Sequence, residues 1–205
     1  MYLLLSWNQR IGNRTLKHNE LRNHVSNLRD VLDTILQDAY LDDINGIIDA
    51  VSNSFKNGGK VLIFGNGGSS MDAGHIAAEF TGRYKTERIG YPAMALSDSA
   101  ATVTAIANDF GYVNIFSRQI QAFAQKWDTA IGLSTSGKSE NVLAGLKEAK
   151  KQGLNSILIS GNSCSISEEC DLHLRIPSPN TAHIQETTIF IGHIIAEQVE
   201  LNLNA

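Results

Sequence analysis

The sequence predicts an α/β fold in which a parallel β-sheet carries helices on both faces. Five short apolar segments, rich in β-branched residues, alternate along the chain with segments of helical periodicity, as in βαβ units. With 205 residues, of which 42% are hydrophobic, the chain is long enough for one well-buried α/β domain. Strands are predicted at residues 60–64, 93–97, 129–134, 156–160 and 172–176, and helices at 70–83, 100–107, 113–125, 139–152 and 182–201.

Two further helices are predicted ahead of the first strand. Apolar residues recur at helical spacing over residues 14–37 and 41–56, whereas residues 1–13 show no regular pattern. These helices carry more apolar surface than one face of a small sheet needs, which favours packing between subunits, although covering of the sheet is an alternative. We therefore expect residues 1–40 to form an N-terminal helical segment used in oligomer packing, and residues 41–205 to form the α/β domain.

Charge and composition argue against several classes of function. The formal net charge is −4 and no cluster of Lys and Arg forms a basic stripe, so no nucleic-acid partner is expected. No apolar run approaches the roughly 18 residues of a membrane-spanning helix, so no membrane partner is expected either. The cysteines, Cys164 and Cys170, are too few for a disulfide framework and are predicted to be thiols. These features predict a cytoplasmic protein.

Two loops with the composition of anion-binding sites follow predicted strands. The first runs from Gly65 to Ser70 and the second from Ser134 to Ser139, and each leads directly into a helix. Backbone N–H groups at a helix N-terminus bind phosphate, and serine and threonine hydroxyls add further donors. Neither loop is a Walker A or G-x-G-x-x-G motif, so nucleotide binding is not indicated. Either loop alone is typical of a turn, but the two together favour a phosphate site.

Four side chains on two predicted helices have the chemistry to bind a metal or to move protons. His75 and Glu79 are four residues apart and share a helix face among small residues, although a packed or solvated histidine is the alternative for His75. Gln185 and His193 are eight residues apart on the last helix, about 80° apart around its axis. Together the four offer zinc two imidazoles, a carboxylate and an amide, of which the amide is an uncommon ligand. Spacing alone leaves open whether the two helices meet.

In their order along the chain, these motifs resemble the sugar isomerase (SIS) domain family, and within it the bacterial phosphoheptose isomerases. The likeness covers roughly residue 41 to the C-terminus. Each motif alone is weakly diagnostic, whereas the ordered set is highly specific. The motifs are Gly65-Asn66-Gly67-Gly68-Ser69, Asp72-Ala73-Gly74-His75-Ile76-Ala77-Ala78-Glu79, Thr81-Gly82-Arg83, Asn108-Asp109-Phe110-Gly111, Ser134-Thr135-Ser136-Gly137 and Ile184-Gln185-Glu186.

The resemblance implies a fold, a cofactor and an activity. It implies a homotetramer of flavodoxin-like subunits, each a three-layer αβα sandwich with a five-stranded parallel sheet, and active sites at subunit contacts. It implies one zinc ion per subunit, bound by positions matching His75, Glu79, Gln185 and His193. Similar enzymes interconvert sedoheptulose 7-phosphate and D-glycero-D-manno-heptose 7-phosphate, the first step toward heptose for lipopolysaccharide or other glycans. The implied substrate contacts are Ser134, Thr135, Ser136 and Ser139 for the phosphate, and Asn66, Gly67, Gly68, Ser69, Glu79, Asn108, Asp109 and Gln185 for the sugar.

An aldose–ketose isomerisation of this kind moves a proton between C1 and C2 through an enediol. Glu79 is the expected catalytic base, and His193 is the expected partner acid or base because imidazole titrates near neutral pH. Both are also implied zinc ligands, and a coordinated carboxylate is a weaker base. Two alternatives therefore stay open: either the metal polarises the C1 and C2 oxygens, or it positions the sugar while Glu79 acts through its free oxygen.

Two residues depart from the family pattern. Lys138 stands where relatives usually carry Asn, which adds a positive charge beside the expected phosphate site. His183 stands where Arg is common before Ile184-Gln185-Glu186, so the sugar-phosphate preference and the glycan pathway stay open. The alternatives to heptose isomerisation are a non-catalytic SIS-domain regulator that binds a partner protein and an isomerase of another sugar phosphate. Such regulators lose the acid/base residues, whereas Glu79 and His193 are both present here.

Overall fold

The computed structural model describes residues 2–165 and 168–204, with side chains from residue 17 onward, and contains a five-stranded parallel sheet between two layers of helices. The helices are α1 (Tyr2–Ile35), α2 (Asp38–Lys56), α3 (Gly68–Thr81), α4 (Ala100–Phe110), α5 (Ile115–Phe123), α6 (Glu140–Lys151) and α7 (Thr181–Asn204), with a 3₁₀ turn at Tyr112–Asn114. The strands are β1 (Val61–Gly65), β2 (Ala93–Ala95), β3 (Thr129–Ser134), β4 (Asn155–Gly161) and β5 (Leu172–Ile176).

The sheet has the strand order β2-β1-β3-β4-β5, and every neighbouring pair is parallel. Successive residues of a strand face opposite sides of the sheet. Val61 and Ile63 of β1 therefore pack into a core with α2, α3 and α7, whereas Leu62 and Phe64 pack into a second core with α5 and α6. This strand order and these three layers confirm the flavodoxin-like αβα fold that the sequence predicted.

The predicted element boundaries are close to the observed ones, with two differences. Strands β3 and β5 have the predicted bounds, and the other three strands differ by one or two residues at an end. Helix α1 begins at Tyr2 rather than at residue 14, because apolar periodicity reports a buried face and not helix formation itself. The helix predicted at 113–125 is a 3₁₀ turn followed by α5, since Asn114 N–H bonds the carbonyl of Gly111 three residues earlier.

Helix α1 is anchored to the core at its C-terminal end. Val31 is 7% exposed and Ile35 is 4% exposed, and both belong to the core that contains α2 and α7. Over residues 17–30, in contrast, the side chains are exposed or half-buried, and Leu21 and Val25 are 64% and 68% exposed. Within residues 17–30, α1 thus presents Leu21 and Val25 with most of their side-chain surface uncovered by their own subunit.

The structure also describes the burial of the two cysteines and the apolarity of the helices. Cys164 is half-buried and Cys170 is buried in the core, and neither forms a disulfide bond. Among the residues that the structure describes, no helix has the length and apolarity needed to cross a membrane.

A buried ion pair between Arg88 and Glu200 holds the end of α3 against α7. Arg88 Nε lies 2.9 Å from Glu200 Oε1, and the two side chains are only 4% and 1% exposed. The same guanidinium donates to the carbonyl oxygens of Glu79 and Phe80, in the last turn of α3. Because the last carbonyl groups of a helix have no partner within the helix, Arg88 satisfies them while its charge is balanced by α7.

The carboxylate of Glu200 also binds the chain that leaves α3. Burial by itself would raise the pKa of Glu200, but the backbone N–H groups of Tyr84, Thr86 and Lys85 donate to the carboxylate and lower its pKa from 4.5 to about 2. A carboxyl group whose pKa is lower in the folded than in the unfolded state stabilises the fold when it is ionised. This stabilisation is fully present above about pH 4.5 and is lost as the pH falls toward 2.

Replacement of Glu200 should therefore destabilise the fold strongly. Glu200→Gln leaves the buried Arg88 charge unpaired, which costs about 3–5 kcal/mol of unfolding free energy at neutral pH. The control is Glu197→Gln, because Glu197 lies on α7 like Glu200 but forms an exposed ion pair, with Lys85. Loss of that ion pair should cost less than about 1 kcal/mol of unfolding free energy. Urea unfolding followed by circular dichroism measures both values, and the gap between wild type and Glu200→Gln should narrow below pH 4.5. Equal urea midpoints for the two variants would contradict this account.

Candidate functional site

The two glycine- and serine-containing loops meet at the carboxyl edge of the sheet. Strands β1 and β3 are neighbours, and the strand order reverses beside β1, so the loops that follow these strands face one crevice. Asn66 follows β1 and Asn141 lies in the first turn of α6; each side-chain amide donates to the other's oxygen at 2.8 Å. The hydroxyl of Tyr112 donates to Asn66 Oδ1, also at 2.8 Å. This amide pair holds the two loops together.

The loop after β3 has the arrangement of a phosphate cradle. Ser134 Oγ donates to Ser139 Oγ at 2.9 Å, and Lys138 N–H donates to Ser136 Oγ at 3.2 Å, so the hydroxyls point into the loop. Ser139 is the N-cap of α6, but its side chain makes no capping hydrogen bond. The N-terminus of α3 likewise has no side-chain cap. Neither helix N-terminus is capped by the side chain of its N-cap residue, although Val142 N–H in the first turn of α6 donates to Asn141 Oδ1 at 3.0 Å. Helix N-termini of this kind are suited to an anion.

His75, Glu79 and His193 form a cluster between α3 and α7. The Nε2 atoms of the two histidines are 3.2 Å apart, and Glu79 Oε1 is 3.2 Å from His75 Nε2. The side chain of His75 is 47% exposed and that of Glu79 22% exposed, so the cluster is open to solvent in the subunit. Spacing along the sequence could not show whether α3 and α7 meet. In the structure the two helices bring three of the four predicted metal-site residues together.

Gln185, the fourth predicted residue, lies against the first turns of α3. Its amide occupies the space into which a Cβ on Gly68 would project, so only glycine at that position leaves Gln185 its place. Burial raises the pKa of the Asp72 carboxyl group, and the charge of His75 and the nearby amide of Gln185 oppose that rise only in part. Among the described residues, Asp72 Oδ2 has no hydrogen-bond partner.

Tyr84 and Arg88 hold the cluster in place from the chain that follows α3. The ring of Tyr84 stacks on the imidazole of His193, with ring centroids 5.3 Å apart and an angle of 20° between the planes. The backbone N–H of Tyr84 is bonded to Glu200, one of the bonds described above. Arg88 bonds the backbone carbonyl of Glu79 at 2.9 Å. The buried ion pair therefore fixes the backbone of Glu79 and the backbone of Tyr84, whose ring packs on His193.

The donor set of the cluster fits a zinc-class metal. The ligand atoms of His75, Glu79 and His193 lie within 4.8 Å of one another. Two imidazole nitrogens with a carboxylate oxygen are ligands that Zn²⁺ accepts, whereas Mg²⁺ and Ca²⁺ favour oxygen-only sites. Three protein ligands leave a coordination position for the Gln185 amide or for a substrate oxygen.

Other predicted contact residues are distributed around the crevice. Gly67 and Gly68 are exposed at the start of α3, and Ser69 is buried behind them. Asn108 and Asp109 are exposed at the end of α4, where Asn108 Nδ2 donates to Asp109 Oδ1 at 2.8 Å. This hydrogen bond joins the two residues to each other and not to the cluster, so their role in binding the sugar stays a prediction.

Four residues of the site carry no role in the sequence interpretation: Asn141, Tyr112, Tyr84 and Arg88. A polar residue with 3% exposure in the first turn of a helix, as Asn141 is, has a structural reason for its burial, but burial is not visible in one sequence. Arg88 is 112 residues from its partner Glu200, so no local pattern indicates the pair.

Comparison with known proteins identifies the family over most of the chain. The profile of the SIS domain family matches residues 23–161. A phosphoheptose isomerase from Burkholderia pseudomallei strain 1710b is 44% identical over 190 residues, which cover 92% of this chain and 95% of that protein. A phosphoheptose isomerase from Thermodesulfovibrio yellowstonii is 47% identical over 158 residues, covering 77% of this chain and 79% of that protein.

Solved structures agree in fold. A phosphoheptose isomerase from Francisella tularensis superposes with a TM-score of 0.83 at 28% identity, and covers 90% of this chain and 98% of that one. One from Neisseria gonorrhoeae superposes with a TM-score of 0.78, also at 28% identity and with the same coverage.

Proposed function

The chain belongs to the SIS-domain phosphoheptose isomerases, and from that premise we propose that it interconverts sedoheptulose 7-phosphate and D-glycero-D-manno-heptose 7-phosphate, the first step of heptose biosynthesis. The observation that carries the proposal is the cluster of His75, Glu79 and His193, two of whose members lie on α3, the helix that begins at one of the two loops suited to an anion. One end of the crevice offers acid/base chemistry and the other holds a charged group, as isomerisation of a sugar phosphate requires. A non-catalytic regulator would need neither Glu79 nor His193.

In this reaction Glu79 takes a proton from one of the carbons C1 and C2 and returns it to the other, and His193 transfers a proton between the oxygens on these carbons. The carboxylate of Glu79 is partly buried, at 22% exposure, and its backbone is fixed by Arg88. His193 is held between the ring of Tyr84 and the imidazole of His75. Both groups are thus oriented before substrate arrives, and general acid–base groups in such positions contribute about 10²–10⁴-fold each to the rate.

The phosphate of the substrate binds the loop after β3. The donors are the hydroxyl and backbone groups of Ser134, Thr135, Ser136 and Ser139. The α6 N-terminus adds its dipole and the first-turn N–H groups that the Ser139 side chain does not cap. The sugar then extends past Asn66 and the glycines at the start of α3 toward Glu79, with Asn108 and Asp109 at the rim. The Asn66–Asn141 amide pair fixes the distance between the two ends of the substrate.

The cofactor proposed for this site is one zinc ion per subunit, held by His75, Glu79, Gln185 and His193. When bound, it would stabilise negative charge on the C1 and C2 oxygens of the substrate. Gln185 is held beside the site by Gly68 and Asp72, and Asp72 is three residues before His75 on the same helix.

We also propose that the subunits assemble as homotetramers in the cytoplasm, with residues 1–40 contributing to the subunit contacts. The support is the apolar surface of α1, on which Leu21 and Val25 have no cover from their own subunit, together with the half-exposed His75. A neighbouring subunit packed near the cluster would exclude water from the reaction.

The first test is isomerisation of sedoheptulose 7-phosphate by the purified protein, followed by NMR. Glu79→Gln and His193→Gln should each lower kcat by at least about 10²-fold, since each removes an acid/base group. Glu87→Gln and His18→Gln are controls, because both replaced side chains are exposed and lie outside the cluster. Activity within a few-fold of wild type in either cluster variant, with unchanged circular dichroism, would overturn the catalytic assignment. Failure of the wild-type protein to convert this substrate would overturn the proposed function.

The second test concerns the place of Gln185. Gly68→Ala puts a methyl group where the amide lies, so Gln185 must move; because the amide is the end of a flexible side chain, stability should hardly change. Zinc affinity and kcat should fall about 10–100-fold if Gln185 supports the metal. Gly46→Ala is the matched control, since Gly46 is also a helical glycine, in α2. The added Cβ would lie 3.6 Å from Leu172 Cδ1, an ordinary van der Waals distance. Full zinc binding and activity in Gly68→Ala would remove Gln185 from the site.

The third test separates the charge of Lys138 from the hydroxyl of Ser136. Phosphate contacts are made alike in the ground and transition states, so Lys138→Asn should raise KM mildly, more at low salt than at high salt, and leave kcat unchanged. Ser136→Ala removes a hydrogen bond to a charged group and should weaken substrate binding by about 1.5–3 kcal/mol. Steady-state kinetics at two salt concentrations measure both effects. A steep loss of kcat in Lys138→Asn at saturating substrate would place Lys138 in the chemistry instead.

A further inference from the structure

A second cluster of metal-ligating side chains lies outside the proposed active site. His24 of α1 meets His183 and Glu186 of α7, and the ligand atoms of the three lie within 4.8 Å of one another. His24 Nδ1 is 3.3 Å from His183 Nε2, and His24 Nε2 is 3.5 Å from Glu186 Oε1. None of these residues belongs to the set that would hold the catalytic zinc.

The sequence builds this cluster from two helices. His183 and Glu186 are three residues apart on α7, a spacing that puts both side chains on one helix face. His24 reaches them from α1, seven residues before Val31, the nearer of the two buried anchors of that helix. His24 therefore connects the exposed segment of α1, residues 17–30, to α7.

The spacing of the atoms suits a tetrahedral metal. With metal–ligand bonds of about 2.0–2.1 Å, tetrahedral ligand atoms are separated by about 3.3 Å. The two imidazole nitrogens already have this separation. His183 is only 3% exposed, so packing fixes its ring. The side chains of His24 and Glu186 are 47% and 43% exposed, so each has room to rotate until its ligand atom reaches the metal.

We propose that His24, His183 and Glu186 bind a second divalent transition-metal ion of the zinc class, which clamps the N-terminal helix α1 to α7. The ligand chemistry favours Zn²⁺ or Co²⁺ over Mg²⁺ and Ca²⁺, because two of the three ligands are imidazoles. Three protein ligands leave one position for water, and the exposed side of the cluster gives the ion access from solvent. Without a metal, His24 hydrogen-bonds His183 and lies at ion-pair distance from Glu186.

The clamp would fix the part of α1 that the core does not hold. The described side chains of α1 before Val31 are exposed or half-buried, so packing within the subunit restrains them little. A metal bond between His24 and His183 joins this segment to the start of α7. The next residue, Ile184, packs against Gly161, whose N–H bonds the carbonyl of Thr135 in the phosphate loop. The position of α1 is thereby linked to the loop that binds the phosphate.

The stoichiometry of metal binding tests the site. The full-length protein, stripped with a chelator and dialysed, is titrated with Co²⁺ and the visible absorption of bound Co²⁺ is recorded; Zn²⁺ content is then measured by elemental analysis. Wild type should bind two ions per subunit, whereas His24→Ala should bind one, with at least about 100-fold weaker binding of the second. His75→Gln should retain the ion at His24. His18→Ala, which changes an exposed histidine of the same helix, should still bind two.

The state of α1 supplies an independent readout. In the His75→Gln background, Zn²⁺ should slow hydrogen exchange of the backbone amides of residues 17–30 by at least about 10-fold, and His24→Ala should abolish that protection. A wild-type protein that binds one ion, with the same stoichiometry in His24→Ala, would overturn the second site. Two bound ions without zinc-dependent protection of residues 17–30 would overturn the clamp. Because neither readout uses isomerase activity, these results are independent of the test of the proposed function.

Discussion

The site depends on the close packing of α7 against α3. Gly192 faces Ile76 so closely that a Cβ at position 192 would lie 2.7 Å from Ile76 Cγ1, and the side chain of Gln185 fills the space beside Gly68. Gly68 is the first residue of α3, and Gly192 lies within α7. They allow the helix axes to approach until His193 meets His75. A larger residue at either point would push apart groups that are 118 residues distant in sequence.

The buried charged side chains stabilise the fold, whereas the phosphate loop attracts its anion without a buried cation. The fully buried ion pair of Arg88 and Glu200 serves structure, since both groups are saturated by backbone hydrogen bonds at the end of α3 and in the chain that follows it. The crevice has no comparably buried cation in its phosphate loop, where Lys138 is exposed at the rim. Attraction for the phosphate comes instead from helix N-termini and hydroxyls, which are fixed in direction and cannot be screened as easily as a mobile lysine.

The sequence was sufficient for the fold and for the residues in local motifs, but not for contacts that join distant segments. The strand predicted at 172–176 and the loop at Ser134–Ser139 were found because each depends on its own run of residues. The convergence of His75 with His193 followed from family resemblance, because spacing within each helix says nothing about which helices meet. Asn141 and Arg88 were missed for the same reason: their partners lie 75 and 112 residues away. The early start of α1 was missed because an exposed helix needs no apolar stripe.

The missing side-chain cap on α6 has a consequence for the folding equilibrium. A phosphate bound among Ser134, Ser136 and Ser139 would accept the hydrogen bonds that a capping side chain accepts in an ordinary helix. The substrate would then complete a secondary-structure element of the protein, and its binding free energy would be shared with the folding of the β3–α6 segment. Such a protein is more resistant to unfolding when its sugar phosphate is abundant, so its lifetime in the cell would follow the supply of its own substrate.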